Sequence, residues 1–317
     1  MFVPHDLTVA LAMMVLTMLC WGSWANTAKL VPGYRFELFY LDYSVGVLLS
    51  SLVLMWGLGD GFSAPNHAAS SVLWALGSGV LFNIANFLLV AVIDLCGMAV
   101  AFPIAIGIAL VFGTMLSALV KPSGNLWLLG AGVLLVLLAV LLDAAAYRRN
   151  AAAKGHVAKG MVLAVLCGVL MALFYPLLAR AQLPPNGLDA YLAMVIFSSG
   201  VLVSSVLLVP LAAAHPITAQ APLAMNGYVQ VPWQRHVPGI LGGGIWCVGT
   251  TSNVLAAGVT GPAIAYAFGQ GATMIAALSG VFIWREFRDA PQLNNLLALM
   301  FVCYAAGLVL IGLSPEA

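Results

Sequence analysis

The sequence predicts an all-α integral membrane protein with ten transmembrane helices in two inverted five-helix repeats. Three observations predict it. Of the 317 residues, 63% are hydrophobic and only 7% are charged, whereas a soluble domain carries about 25% charged residues. A water-soluble chain of this length has no way to bury so much apolar surface. The apolar residues also fall into ten runs, each near the ~20 residues that a helix needs to cross a bilayer. Finally, the two halves of the chain resemble each other.

In order, the runs are 7–30, 38–58, 71–93, 97–120, 125–147, 160–181, 188–210, 237–258, 261–284 and 291–313. Every backbone polar group in hydrocarbon needs an internal partner, so runs this long are helices. The first run has no basic stretch before it and no clear small-residue cleavage site after it, so it reads as a retained helix. It ends in TMLCWGSWANTAKL, with Trp21 near mid-helix and Trp24 on the same face. The second run opens on YLDYS around Asp42, and the third carries Asn83 and Asn86 at its centre. Glycines thin the fourth and ninth runs, where close helix approach is the ordinary reading. The sixth run places Tyr175 before Pro176. VGTTSNV puts Thr250, Thr251 and Asn253 at the centre of the eighth, and the ninth holds Tyr266, Gln270 and Thr273 on one face.

The halves, 1–150 and 151–317, share two blocks in the same order. VGVLLSSLVL from Val45 matches SGVLVSSVLL from Ser199, and GMAVAFPIAIG from Gly97 matches GPAIAYAFGQG from Gly261. Five helices per half is an odd number, so the second half enters the membrane inverted. Inverted repeats mark secondary transporters, whose binding site lies at the midplane between the repeats. Orientation follows from the basic residues. Lys29, Arg35, Arg148, Arg149, Lys154, Lys159, Arg235, Arg285 and Arg288 fall on one side, against Lys121 and Arg180 on the other. The first side is expected to be cytoplasmic. Both termini then lie outside the cytoplasmic (inner) membrane.

Polar residues at depth nominate the site. Amides offer donors and acceptors without charge, which suits a sugar, ureide or nucleobase. Asn83, Asn86, Thr250, Asn253, Tyr266, Gln270 and Thr273 are therefore expected around one central substrate-binding chamber, with Trp21, Trp24 and Tyr175 as its aromatic wall. Helix packing explains any one of them equally well. No charged residue lies at a midplane. Asp42, Asp94 and Asp143 all fall at the cytoplasmic level, either as a solvated or ion-paired gate or as a carboxylate that couples transport to protons. Asp42 is the leading candidate for coupling, because Tyr40 and Tyr43 flank it and can donate to it.

Several classes are excluded. The net charge of +1 and the lack of a basic run give no support to nucleic-acid binding. The five cysteines read as small side chains in apolar runs, and the histidines lie outside the apolar cores without clustering, so no metal site is expected. No nucleotide-binding loop occurs and no nucleophile–base pair is evident at depth, so neither a cofactor nor ATP-driven transport is expected. Oligomeric state is not readable; the expected partners are a small-molecule substrate, membrane lipid and H+.

Ten helices in two inverted halves suggest the drug/metabolite transporter superfamily. Within it, LCWGSWANTAKL, FYLDYSVGVLLSSL and the long stretch from Leu81 to Val120 resemble the plant ureide permeases and the bacterial glucose/ribose-porter-type sugar transporters. Trp24, the run Leu41 to Tyr43, and Asn86 fall on the positions that carry this resemblance, which covers mainly the first half. It implies proton-driven secondary uptake of ureides, nucleobases or sugars. The alternatives are an exporter of amphipathic compounds from the same superfamily and a non-transporting membrane protein.

Overall fold

The computed structural model describes residues 1–61, 67–96, 101–150, 157–216 and 221–315. Among these residues the secondary structure is helical and no strand occurs. The helices are α1 (Leu7–Ser23), α2 (Phe36–Gly57), α3 (Ala69–Cys96), α4 (Gly107–Val120), α5 (Leu126–Asn150), α6 (Val157–Arg180), α7 (Ala190–Ala214), α8 (Trp233–Thr260), α9 (Pro262–Gly269), α10 (Ala272–Leu278) and α11 (Asn294–Gly312). Nine helical segments among the described residues are long and apolar enough to cross a membrane, and a shorter apolar helix covers Ile104–Val120. That shorter helix is the fourth run. Its expected start, 97–100, lies outside the described residues.

Side-chain caps start several helices. Asp6 accepts from the Val9 amide, Asp189 from the Tyr191 and Leu192 amides, and Asn125 from the Trp127 and Leu128 amides. Each satisfies donors that a helix start leaves open.

Two runs read as single helices are interrupted. The first changes after Ser23 from α-helix to a tighter 3-10 turn over Trp24–Leu30. Ser23 donates to the Leu19 carbonyl at 2.6 Å and Thr27 to the Trp24 carbonyl at 2.8 Å; such hydroxyls compete for the carbonyls that an α-helix needs. The ninth run breaks between α9 and α10 at Gln270–Gly271. Two glycines bracket Gln270 there, and glycine is the weakest helix former after proline.

Glycines let two helix pairs touch backbone to backbone. In α2 and α8, a Cβ on Gly46 would stand 2.0 Å from the Ile240 carbonyl oxygen, and one on Gly243 would stand 2.0 Å from that of Tyr43. In α3 and α7, Gly79 stands in the same relation to Phe197, also at 2.0 Å, and Gly200 to Leu76 at 2.3 Å. No larger residue fits at these four positions without separating the helices.

The first residues and Ser314 lie at one end of the molecule. The Met1 ammonium pairs with Asp60 at 2.7 Å, Tyr191 donates to the Phe2 carbonyl at 2.9 Å, and the Asn125 amide donates to the Ser314 carbonyl at 2.7 Å. At the opposite end, the Lys29 ammonium sits 3.6 Å from the Trp284 ring centroid. Arg35 there holds Glu37 through two hydrogen bonds, at 3.0 and 2.6 Å. That carboxylate raises the Arg35 guanidinium further above its ordinary value.

Candidate substrate cavity and buried carboxylates

A cavity of about 380 Å³ lies between two groups of helices. One wall comes from the first run, α2, α8 and the α9–α10 break, through Trp21, Trp24, Phe36, Phe39, Trp246, Gln270 and Thr273. The other comes from α3, the turn before α4, and α6, through Phe82, Asn86, Ile93, Ile106, Met171 and Phe174. Each group thus draws on both halves of the chain. None of the lining residues is charged. The lining continues to Ala28, Phe36, Ile93 and Ala276, toward the end that carries Lys29 and Arg35.

The walls are flat aromatic faces. Trp21 and Trp246 lie nearly parallel, with centroids 6.2 Å apart and planes 9° apart, and Phe82 stacks on Trp246 at 4.3 Å. Trp21 is held rigidly, because its Nε1 donates to Thr250 Oγ1 at 2.9 Å while Thr250 itself donates to the Trp246 carbonyl at 3.0 Å. An indole N–H in an apolar wall needs such a partner. Thr250 therefore fixes the orientation of Trp21 from behind the wall.

Of the ten sequence-nominated residues, Trp21, Trp24, Asn86, Gln270 and Thr273 line the cavity. The break after α9 presents Gln270 and Thr273 there. The other five stand behind the lining. Asn83 turns to α7, donating to Ser204 at 2.9 Å and accepting from Ser205 at 3.1 Å. Asn253 donates to the Ala265 carbonyl at 2.8 Å, and its Oδ1 is buried without a partner. Tyr175 and Tyr266 pack against each other at 5.1 Å. The Tyr266 hydroxyl lies within reach of the Ala109 and Met171 carbonyls, at 3.2 and 3.3 Å. Thr250 is the fifth. Helical spacing put all these residues on plausible faces, but a neighbouring helix competes with the cavity for each polar group. Phe82, Trp246 and Phe174 also line the cavity; Trp246, an indole at depth, carried the same signal as Trp21, whereas Phe82 and Phe174 are ordinary apolar residues of a transmembrane run.

The carboxylates differ in their surroundings. Asp42 is 1% exposed and saturated with donors. The Tyr34 hydroxyl donates to its Oδ2 at 2.9 Å, the Tyr228 hydroxyl donates to Oδ1, and His236 Nδ1 lies 2.8 Å from Oδ1. Burial and then the Asp42 charge push both phenols above the ordinary tyrosine range, so they remain donors. Tyr40 and Tyr43 do not serve Asp42. Tyr40 accepts from Asn86 at 3.1 Å, and the Tyr43 hydroxyl is buried without a partner. The two tyrosines flank Asp42 in sequence, but a helix sends neighbours one and two residues away to other faces. Asp143 is 3% exposed, and its Oδ1 has no hydrogen-bond partner. Asp94 lies in α3, with its side chain outside the described residues.

An uncharged cavity thus lies among membrane-length helices. The chain belongs to the sugar transport protein family, whose model matches residues 11–313. Over 166 residues it is 30% identical to ureide permease 4 of Arabidopsis thaliana, covering 48% of this chain and 41% of that protein. Over 149 residues it is 28% identical to the L-rhamnose-proton symporter of Yersinia pestis bv. Antiqua, covering 41% of this chain and 43% of that one. The chain thus spans about two fifths of the length of these curated relatives. A solved crystal structure of another protein shares the fold with a TM-score of 0.60 at 18% identity, covering 96% of this chain and 98% of that one.

Proposed function

We propose that the protein is a secondary active transporter that takes up a small neutral polar metabolite of the sugar, ureide or nucleobase type by alternating access, coupled to protons. The observation that carries this reading is the cavity: flat aromatic walls with Asn86, Gln270 and Thr273 as its amides and hydroxyl, and no charge. Apolar ring faces stack on tryptophan, and neutral amides satisfy hydroxyls or ureido groups without the desolvation cost of an ion. The names of the relatives, a ureide permease and an L-rhamnose-proton symporter, point to the same chemistry.

In this reading the two groups of helices rock about the cavity, which here reaches toward the cation-bearing end. That end is the cytoplasmic one, so the conformation faces inward and the termini lie outside. The glycine contacts support two related halves: the block that matches Gly46 to Gly200 and the spacing that lays Gly97 on Gly261, and so Gly79 on Gly243, exchange one helix contact for the other. Asp42, held by three donors, serves as a gate anchor.

The aromatic excess of the lining also fits a second reading, export of amphipathic compounds. A lipophilic cation would meet no carboxylate in the lining, which favours the neutral solute. Purified protein in liposomes, offered L-rhamnose, allantoin, uracil and a lipophilic cation under an inward proton gradient, tests this directly. Accumulation of a neutral solute is expected, with a loss of at least about tenfold in Trp246→Ala. Transport of the cation alone would sink the reading.

A further inference from the structure

A second polar assembly lies away from the Asp42 cluster, between α5, α11 and the segment after α10. Asp143 is its centre. The side chain is buried, and Oδ1 has no hydrogen-bond partner. The groups that act on it electrostatically are Glu286, Tyr147 and Tyr304, and no cation is among them in the described residues. Tyr304 is fully buried, and its hydroxyl, also without a partner within bonding distance, lies alongside Thr273, which lines the cavity. On the other flank, Tyr147 donates to Glu286 Oε2 at 2.6 Å. Glu286 is exposed at the cation-bearing end, where Lys29 is its electrostatic counterpart. Gly280 makes room for this pair, since a Cβ there would stand 2.9 Å from Glu286 Oε2 and 3.1 Å from the Tyr147 hydroxyl.

The oxygen groups run in electrostatic reach of one another from Glu286 at the surface, hydrogen-bonded to Tyr147, through Asp143 to Tyr304 beside Thr273 of the cavity. A buried carboxylate with an oxygen that no donor satisfies is costly to keep charged. A proton on Oδ1 removes the charge that no donor there stabilises. We propose that Asp143 is the proton-binding group of the transport cycle, and that Tyr304 links it to the solute through Thr273. This rests on the proton-coupled reading above and moves the coupling from Asp42 to Asp143. Solute at Thr273 and a proton at Asp143 then sense each other across one hydroxyl.

The test separates the site from the transport reading. Infrared difference spectra on acidification, in liposomes without added solute, report protonated carboxyls; a buried, weakly hydrogen-bonded acid absorbs at higher frequency than hydrated surface acids. Wild type is expected to show that high-frequency band, Asp143→Asn to lose it, and Asp42→Asn to keep it. Asp143→Glu guards against a folding failure and is expected to keep a band at displaced frequency. Tyr304→Phe is expected to keep the band and weaken the coupling of L-rhamnose accumulation to the proton gradient, with exchange retained. A high-frequency band that survives Asp143→Asn, or stays unshifted in Asp143→Glu, overturns the proposal. If the band behaves as expected while no solute accumulates, the proton site stands and the transport reading fails.

Discussion

Asp42 and Asp143 are both buried carboxylates near the same end of the molecule, and they are built in opposite ways. Asp42 sits where α2 meets α8, and its oxygens take Tyr34, Tyr228 and His236. Two of these donors lie on segments outside the spans, so the carboxylate ties loops to helices. Asp143 sits where α5 meets α11, among groups that are acidic or phenolic, with one oxygen unpaired. A carboxylate surrounded by donors is fixed in place by them. One without donors leaves its protonation state free to follow the surroundings. Residue type and burial are the same at both sites, and the partners differ.

This contrast is broken most directly at Asp42. Asp42→Ala leaves Tyr34, Tyr228 and His236 without their shared acceptor, and a loss of about 3 kcal/mol in stability is expected. Unfolding of the purified protein in detergent measures it; a loss below about 1 kcal/mol would mean that the cluster is ornamental. The next effect is alkaline. Tyr34 and Tyr228 have values raised in the folded protein. Their contribution is therefore intact below the ordinary tyrosine value of about 10 and is lost as pH rises from there through the folded values. The melting temperature should fall over that range, and by less in Asp42→Asn, where the Asp42 share of the shift is gone. An equal fall in both proteins would mean that burial alone sets the shift.

Smaller effects sharpen the comparison. Tyr40→Phe removes the acceptor for Asn86 and should cost about 1 kcal/mol. Asp143→Asn breaks no hydrogen bond at Oδ1, and its stability should stay within about 1 kcal/mol of wild type or rise. Tyr43→Phe removes a buried hydroxyl that has no partner, so it should be neutral to within about 0.5 kcal/mol. A cost above that for Tyr43→Phe would show that Tyr43, and not only Tyr34 and Tyr228, holds the Asp42 site together.

Hydropathy alone sufficed for the membrane class and the positions of the spans, because a bilayer imposes a length and an apolarity that each helix meets by itself. The first and ninth runs marked their own interruptions through Ser23, Thr27 and the Gly269–Gln270–Gly271 triplet, but apolarity masked them. Trp21, Trp24, Asn86, Gln270 and Thr273 could be nominated because a polar or indole group at depth is costly and needs a reason. The sequence could not distinguish Asn86, which reaches the cavity, from Asn83 one turn earlier, which α7 claims through Ser204 and Ser205. Nor could it distinguish Asp42 from Asp143. Local patterning determined what each helix is and which residues on it are polar. Only the tertiary structure decided which helix each polar group faces, since a donor or an acceptor is satisfied by whichever neighbour packing brings within about 3 Å.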